Sequence, residues 1–186
     1  MSVSPPAQRL HLGCGNEILP NWINHDLVPL PGVDVVHDLE DFPWPFETDQ
    51  FSEVRMHHVL EHLSNPVRTI EELHRVLEPG GVLQVRVPYW NSPDWATDPT
   101  HRVAFNEYSF DYFDPTTYQG RERPYYSTAR FSIRSKTYWI KPAVKYLPVR
   151  NRSARAVLSA LARHLGGVIW VVEWDLVALK DGAAPQ

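Results

Sequence analysis

Leu10-His11-Leu12-Gly13-Cys14-Gly15-Asn16 is the stretch that decides the fold. Leu10 and Leu12 belong to a short apolar run that ends on a glycine pair. Where a strand gives way to a turn, missing side chains let backbone N–H groups approach a ligand closely. Gly-x-Gly after a strand is also a common plain turn. Its weight depends on the residues at the ends of the later strands.

Four short apolar runs, 9–12, 22–25, 33–37 and 53–57, are each followed by loop-forming residues and read as successive strands. A fifth, 82–87, is entered through Glu78-Pro79-Gly80-Gly81, which ends the preceding helix. That helix starts at Asn65-Pro66 and places Val67, Ile70, Leu73 and Leu77 on one face. A second helix, capped by Ser153, gathers Ala154, Val157, Leu158, Leu161, Ala162 and Leu165 on one side and stops at Gly166-Gly167. The apolar run 168–179 reads as a closing strand. The expected fold is α/β: a doubly wound, mostly parallel, Rossmann-like sheet with its ligand at the carboxyl ends of the strands.

The stretch from Tyr89 to Tyr146 breaks the alternation and holds fifteen of the twenty-two aromatic residues. It reads as an aromatic-rich cap inserted after the fifth strand. One domain of 186 residues then divides into a cofactor-binding half, 9–88, a cap, 89–146, and a closing helix and strand, 147–186.

The strand ends carry the chemistry. Asp26 closes the second strand, where an acid can accept both hydroxyls of a ribose, and Asp38 follows the third, within reach of an adenine amine. Each has a plainer alternative: Asp26 capping a loop, Asp38 initiating the bend toward Asp41. His57-His58-Val59-Leu60-Glu61-His62-Leu63 follows the fourth strand, and Leu73-His74-Arg75-Val76-Leu77-Glu78-Pro79-Gly80-Gly81 precedes the fifth.

In this order the segments resemble the motifs of class I S-adenosylmethionine-dependent methyltransferases, of the small type 11 kind, over about the first ninety residues. The resemblance implies S-adenosylmethionine as cofactor. Gly13, Cys14, Gly15 and Asn16 would lie at its methionine and ribose, Asp26 and Leu27 at the ribose, Asp38 and Leu39 at the adenine, and His57 and His58 beside the sulfonium. Two positions depart from the family. His11 stands where many members have an acid between the two leucines, and the link from Gly15 to Trp22 is shorter than the roughly ten to twelve residues of a full crossover. A single turn is expected there, with Asn16 and Glu17 toward the ligand.

His58-Val59-Leu60-Glu61-His62 also spells the inverted zincin pattern, which puts two imidazoles on one helical face for zinc. The preceding strand and the interruption at Ser64-Asn65-Pro66 argue against such a helix, so no metal is expected and a zinc peptidase through His58, Glu61 and His62 is the weaker alternative. Glu61 and His62 can equally brace the loop.

Methyl transfer needs positioning above all, with a base only where the acceptor must lose a proton. Asp98-Pro99-Thr100-His101-Arg102 lies after the fifth strand; His101 is the candidate base, Asp98 its candidate orienter, and His58 a third candidate catalytic residue. Tyr89, Trp90, Trp95, Phe105, Tyr108, Phe110, Tyr112 and Phe113 would line an acceptor pocket or form the cap's own core.

Charge is uneven. Residues 116–165 hold eleven Lys or Arg against the single acid Glu122, while the whole chain has net charge -4. An anionic or aromatic small-molecule acceptor is expected, with peripheral membrane contact through the basic segment 141–155 as a further option and no dedicated nucleic-acid motif. One cysteine excludes an internal disulfide framework and a four-cysteine zinc site. The stretch from Met1 to Gln8 lacks the pattern of a signal peptide, and no run reaches the roughly 18 apolar residues of a membrane span. A cytoplasmic enzyme moving a methyl group to an O or N is the expectation, with a non-catalytic S-adenosylmethionine-binding module as the alternative.

Overall fold

A computed structural model describes residues 8–180. The amino-terminal stretch read for a signal peptide lies, up to Ala7, outside them. Strands β1 (Gln8–Leu12), β2 (Ile23–Asp26), β3 (Val35–Val36) and β4 (Phe51–His57) are short, and each bears out an expected apolar run. Helix α1 (Pro66–Val76) follows, then β5 (Leu77–Pro88), the short helices α2 (Pro93–Thr97) and α3 (Tyr118–Glu122), β6 (Phe131–Ile140), β7 (Leu147–Val149), α4 (Arg152–Ala162) and β8 (Val171–Ala178).

All eight strands form one sheet in the order β3-β2-β1-β4-β5-β8-β6-β7. β1 to β5 run parallel, while β8 is antiparallel to both β5 and β6. Chain order reverses between β1 and β4, so the ligand crevice of an open α/β sheet belongs at the carboxyl ends of those two strands. Leu10, Leu12, Val54, Met56, Leu83, Val85 and Trp174 are buried in the sheet's core. Ile70, Leu73 and Val76 press α1 onto it, and Val67, expected on the same face, is exposed. Asn65 caps α1 by accepting the Arg68 N–H at 3.1 Å, with Pro66 in the first turn.

Four expectations change. Residues 131–140 and 147–149, which fall inside or beside the stretch read as a cap, are sheet strands, so the insertion between β5 and β6 spans 89–130. Its aromatics do not line the crevice: Tyr89, Phe105, Phe110 and Phe113 are buried, Phe110 meets Trp174 with ring centroids 4.7 Å apart, and Trp90, Tyr108, Tyr118, Tyr125 and Tyr126 are exposed. The cap of α4 is Asn151, whose side chain accepts the Ala154 N–H at 3.0 Å, because Ser153 already lies in the first turn. Of the apolar residues read as the inward side of α4, Ala162 is buried, whereas Val157, Leu161 and Leu165 face solvent.

Candidate functional site

Gly13 and Gly15 both take left-handed backbone, at φ 61° and 51°. A Cβ on Gly13 would come within 2.2 Å of Val59 Cγ2, so the turn after β1 presses directly on the loop after β4. Nothing lies within 4 Å of a Cβ built on Gly15, whose need for glycine is conformational alone. The link to β2 contains a turn closed by the Glu17 N–H to the Cys14 carbonyl at 2.9 Å, with no helix.

Asp26 joins these parts. Its Oδ2 accepts the Gly15 N–H at 2.8 Å and its Oδ1 the Val28 N–H at 3.1 Å. Each oxygen keeps a second lone pair, so the carboxylate that braces the turn can also accept hydroxyl donors. Asp38 likewise serves its turn, with Oδ1 accepting the Glu40 N–H at 2.9 Å and its carbonyl the Asp41 N–H at 2.9 Å.

A groove of about 260 Å³ runs across these strand ends, lined by Gly13, Asp26, Leu27, Asp38, Leu39 and His58. His25, His37, Val59, His62 and Leu63 complete it without having been anticipated as ligand contacts. Cys14, Gly15, Asn16 and His57 are not in its lining. Cys14 is buried, with its thiol toward the Gly15 carbonyl at 3.6 Å, and Asn16 faces solvent. His57 lies beside Arg55, whose Nε–H donates to His57 Nδ1 at 3.0 Å. Burial first, then the Arg86 and Arg55 charges, push the His57 pKa down to about 2, so it stays neutral.

His25 donates from Nε2 to the His37 carbonyl at 3.0 Å, and burial pushes its pKa down to about 4. Burial and then the Arg55 charge also lower the pKa of His11, which packs edge-on to Trp22. A neutral imidazole there supplies no substitute for the family's carboxylate.

A second pocket, of about 310 Å³, shares His58 and His62 with the groove and adds Glu61, Asp94, Thr97, Asp98 and His101. Its walls combine these polar side chains with Pro88 and apolar surface. His101 Nδ1 lies 2.9 Å from the Trp95 carbonyl and so carries a proton, which in the neutral ring makes Nε2 the acceptor. Its ring stacks on Trp95, 5.1 Å between centroids at 18°. The expected orienter, Asp98, stands 4.0 Å from Nε2 and is held by Thr100, whose N–H and hydroxyl donate to it at 2.8 and 2.7 Å. The Trp95 carbonyl orients His101 instead, a role no side-chain motif records. Trp95 is also the expected aromatic lining residue that meets this site.

The zincin-like pattern takes a different form from the one its spelling suggests. His58 has φ 55°, and Leu60–His62 is a single 3-10 turn, so His58 and His62 are not held on one α-helical face. Glu61 is wholly buried, and its main chain is gripped by the Arg102 and Val103 N–H groups at 2.8 and 3.1 Å. Among the described residues no helix is long and apolar enough to cross a membrane.

Residues 10–85 match the family described as a methyltransferase domain. No curated protein sequence matches the chain. Among solved structures, a chain of the complex between the Haloferax volcanii Trm112 methyltransferase activator and its methyltransferase is similar at 15% identity and TM-score 0.58, over 99% of this chain and 87% of that one. An S-adenosylmethionine-dependent methyltransferase from Archaeoglobus fulgidus is similar at 16% identity and TM-score 0.55, over 93% and 86%. The cyclase SpnF shares the fold at 17% identity and TM-score 0.55, over 93% and 74%. The turn at Gly13, the acids at the ends of β2 and β3 and the groove between them fit an adenosyl ligand. Residues 10–85 thus match a methyltransferase domain on a fold shared with class I S-adenosylmethionine-dependent methyltransferases, and S-adenosylmethionine is the cofactor this match implies.

Proposed function

We propose that the chain transfers a methyl group to an O or N of a polar small-molecule acceptor seated in the pocket of His58, Asp94, Asp98 and His101. The observation that carries this reading is that the cofactor groove and that polar pocket share His58 and His62 as a common wall. Asp26 would take the ribose hydroxyls, Asp38 and Leu39 the adenine, and Gly13 would admit the ligand beside the backbone. Bound there, S-adenosylmethionine supplies a methyl group on a sulfonium, ready for a nucleophile. His101 offers its bare Nε2 to the acceptor's proton, and the Trp95 carbonyl holds the tautomer that does so. The acceptor is charged or hydrogen-bonding rather than flat and apolar, because His58, Glu61, His62, Asp94, Asp98 and His101 line its pocket and, of the aromatics expected there, Trp95 alone stacks on one of them.

The fold also serves a cyclase, so the reaction has to be read from the site. Calorimetry with S-adenosylhomocysteine tests the groove, and methyl transfer from labelled cofactor to a panel of polar acceptors tests the chemistry. His101→Gln is expected to keep cofactor binding and lose most transfer. Binding with no transfer to any acceptor would favour a module that holds the cofactor without turnover, and no binding at millimolar ligand sinks both readings.

A second surface supports the peripheral membrane contact. Val144, Val157, Leu161 and Leu165 are 90%, 60%, 45% and 55% exposed within a segment that carries Lys141, Lys145, Arg150, Arg152 and Arg155. Part of that charge is engaged, since Lys141 lies over Trp170 at 4.6 Å and Arg155 over Tyr138 at 5.6 Å. Co-sedimentation with anionic but not neutral phosphatidylcholine vesicles is expected, and equal recovery with both speaks against the contact.

A further inference from the structure

Glu61 has no exposed surface, and neither carboxylate oxygen receives a hydrogen bond from a described residue. A buried carboxylate in that state demands a cation beside it. The groups nearest to it are imidazoles: His58 Nδ1 lies 3.5 Å and His101 Nε2 3.9 Å from Glu61 Oε1. One ring nitrogen of His62, one of His101 and one oxygen of Glu61 all lie within 4.8 Å of one another.

Surrounding hydrogen bonds decide which of these nitrogens carry protons. His101 must hold its proton on Nδ1 to meet the Trp95 carbonyl. The Thr100 hydroxyl donates its only proton to Asp98 Oδ1 at 2.7 Å, so it accepts from His62 Nδ1–H at 2.9 Å. In the neutral form of each ring these bonds leave Nε2 bare. A ring nitrogen of each converges with the buried carboxylate, to which even the nearest imidazole, His58 at 3.5 Å, makes no hydrogen bond.

We propose that Glu61, His62 and His101 bind a divalent transition-metal ion of the zinc class. Two imidazoles and one carboxylate are a donor set that suits such ions. The outer support is what metal-bound histidines have, each giving its second N–H to a carbonyl or to a hydroxyl backed by a carboxylate. Ligand atoms around tetrahedral zinc lie about 3.3 Å apart, so the three groups need to close by an ångström or so. Asp98 Oδ2, 4.0 Å from His101 Nε2, stands ready as a further oxygen. This constellation is not the helical zincin arrangement, because His101 comes from the far side of β5 and His58 is left outside it. Metal binding here does not depend on methyl transfer. A metal and an acceptor's proton compete for the same His101 lone pair, so ligand and base are alternative roles for one nitrogen.

Titration of the chelator-stripped full chain with cobalt(II), followed by its visible d–d absorption and displaced by zinc, is the test. One equivalent is expected to bind, and Glu61→Gln and His101→Gln are each expected to weaken binding by at least about tenfold, the least seen when even a supporting residue is changed. Circular dichroism and thermal unfolding of the variants establish that they fold. Should either fail to, the imidazole ¹⁵N resonances of the wild type decide: those of His62 and His101 are expected to shift on adding zinc. Absence of saturable binding, binding that survives in both variants, or unmoved resonances overturns the proposal and leaves Glu61 paired with a protonated imidazole.

Discussion

The carboxylate of Asp26 accepts the backbone N–H of Gly15 at 2.8 Å, which ties the end of β2 to the turn after β1. One side chain thus shapes the turn and faces the groove. Asp26→Ala removes the acceptor for Gly15 and Val28 and is expected to cost about 1 to 2 kcal/mol of stability. Asp26→Asn keeps an oxygen in place but removes the charge, and should leave most of that stability intact. If the residue also holds the ribose, S-adenosylhomocysteine affinity falls at least about tenfold in both variants. Calorimetry beside urea unfolding separates the two effects, and a stability loss with unchanged affinity would confine Asp26 to the turn.

Gly13→Ala is expected to do more damage than Gly15→Ala. Both positions are left-handed, which an L side chain adopts at a cost of about 1 kcal/mol. Gly13 adds a collision, since its Cβ would stand 2.2 Å from Val59 Cγ2, on a stiff β-branched side chain. The loop carrying His58 must then move away from the groove. Differential scanning calorimetry should show a clear drop in melting temperature for Gly13→Ala and a small one for Gly15→Ala. Val59→Ala combined with Gly13→Ala should recover part of the loss.

Much of the fold is legible in the sequence because β1 to β4 are short apolar runs, with Gly13 after β1, Asp26 at the end of β2 and Asp38 after β3, although β5 begins earlier than its apolar run, at Leu77. β6 is not, for a physical reason: Arg134, Ser135 and Lys136 interrupt it and its register shifts between Ile133 and Ser135, which breaks the alternation that marks a strand. At the site, Gly13, Asp26, Asp38 and His58 are readable as strand-end residues. The choice between His57 and His58 is not, since it depends on the positive φ of His58, which turns the chain after β4. The meeting of Glu61 with His101 depends on the loop after β5 folding back to donate the Arg102 and Val103 N–H groups, a long-range contact without a local signature.

Acid should weaken the fold before its buried carboxylates begin to protonate. Burial holds the pKa of His25 near about 4, below the ordinary value near 6.5, although the His37 carbonyl opposes the shift. Between those values the unfolded chain binds the proton and the folded chain does not. Stability is therefore complete above about pH 6.5 and falls as pH drops, by up to about 1.4 kcal/mol per pH unit for one such histidine. His57 acts in the same direction. Glu72 follows at lower pH: burial raises its pKa, but bonds from Arg75 and the Trp44 N–H bring it below the usual value. Urea unfolding from about pH 7 down to about pH 5 measures the slope. His25→Gln, which can still donate to the His37 carbonyl, should flatten it by one proton's worth, and a flat wild-type profile refutes the account.

Tyr89 and Glu107 make a second buried pair, within the insertion that follows β5. The Tyr89 hydroxyl donates to Glu107 Oε2 at 2.6 Å, with both residues buried. Burial, and then that bond, raise the pKa of the phenol well above its ordinary value, so it remains a donor throughout the working range of the protein. Tyr89→Phe removes the donor and strands the carboxylate, at an expected cost of about 1 to 3 kcal/mol. Removing both polar partners, as in Tyr89→Phe with Glu107→Met, should cost less than the single change, because no unpaired group is then left inside. Lys136 keeps its own partners in either case, the Asp111 carboxylate and the Glu107 carbonyl, at 2.8 and 2.6 Å. Chemical denaturation of the two variants against the wild type decides the point: a double variant less stable than Tyr89→Phe would mean that Glu107 is held by something other than the phenol.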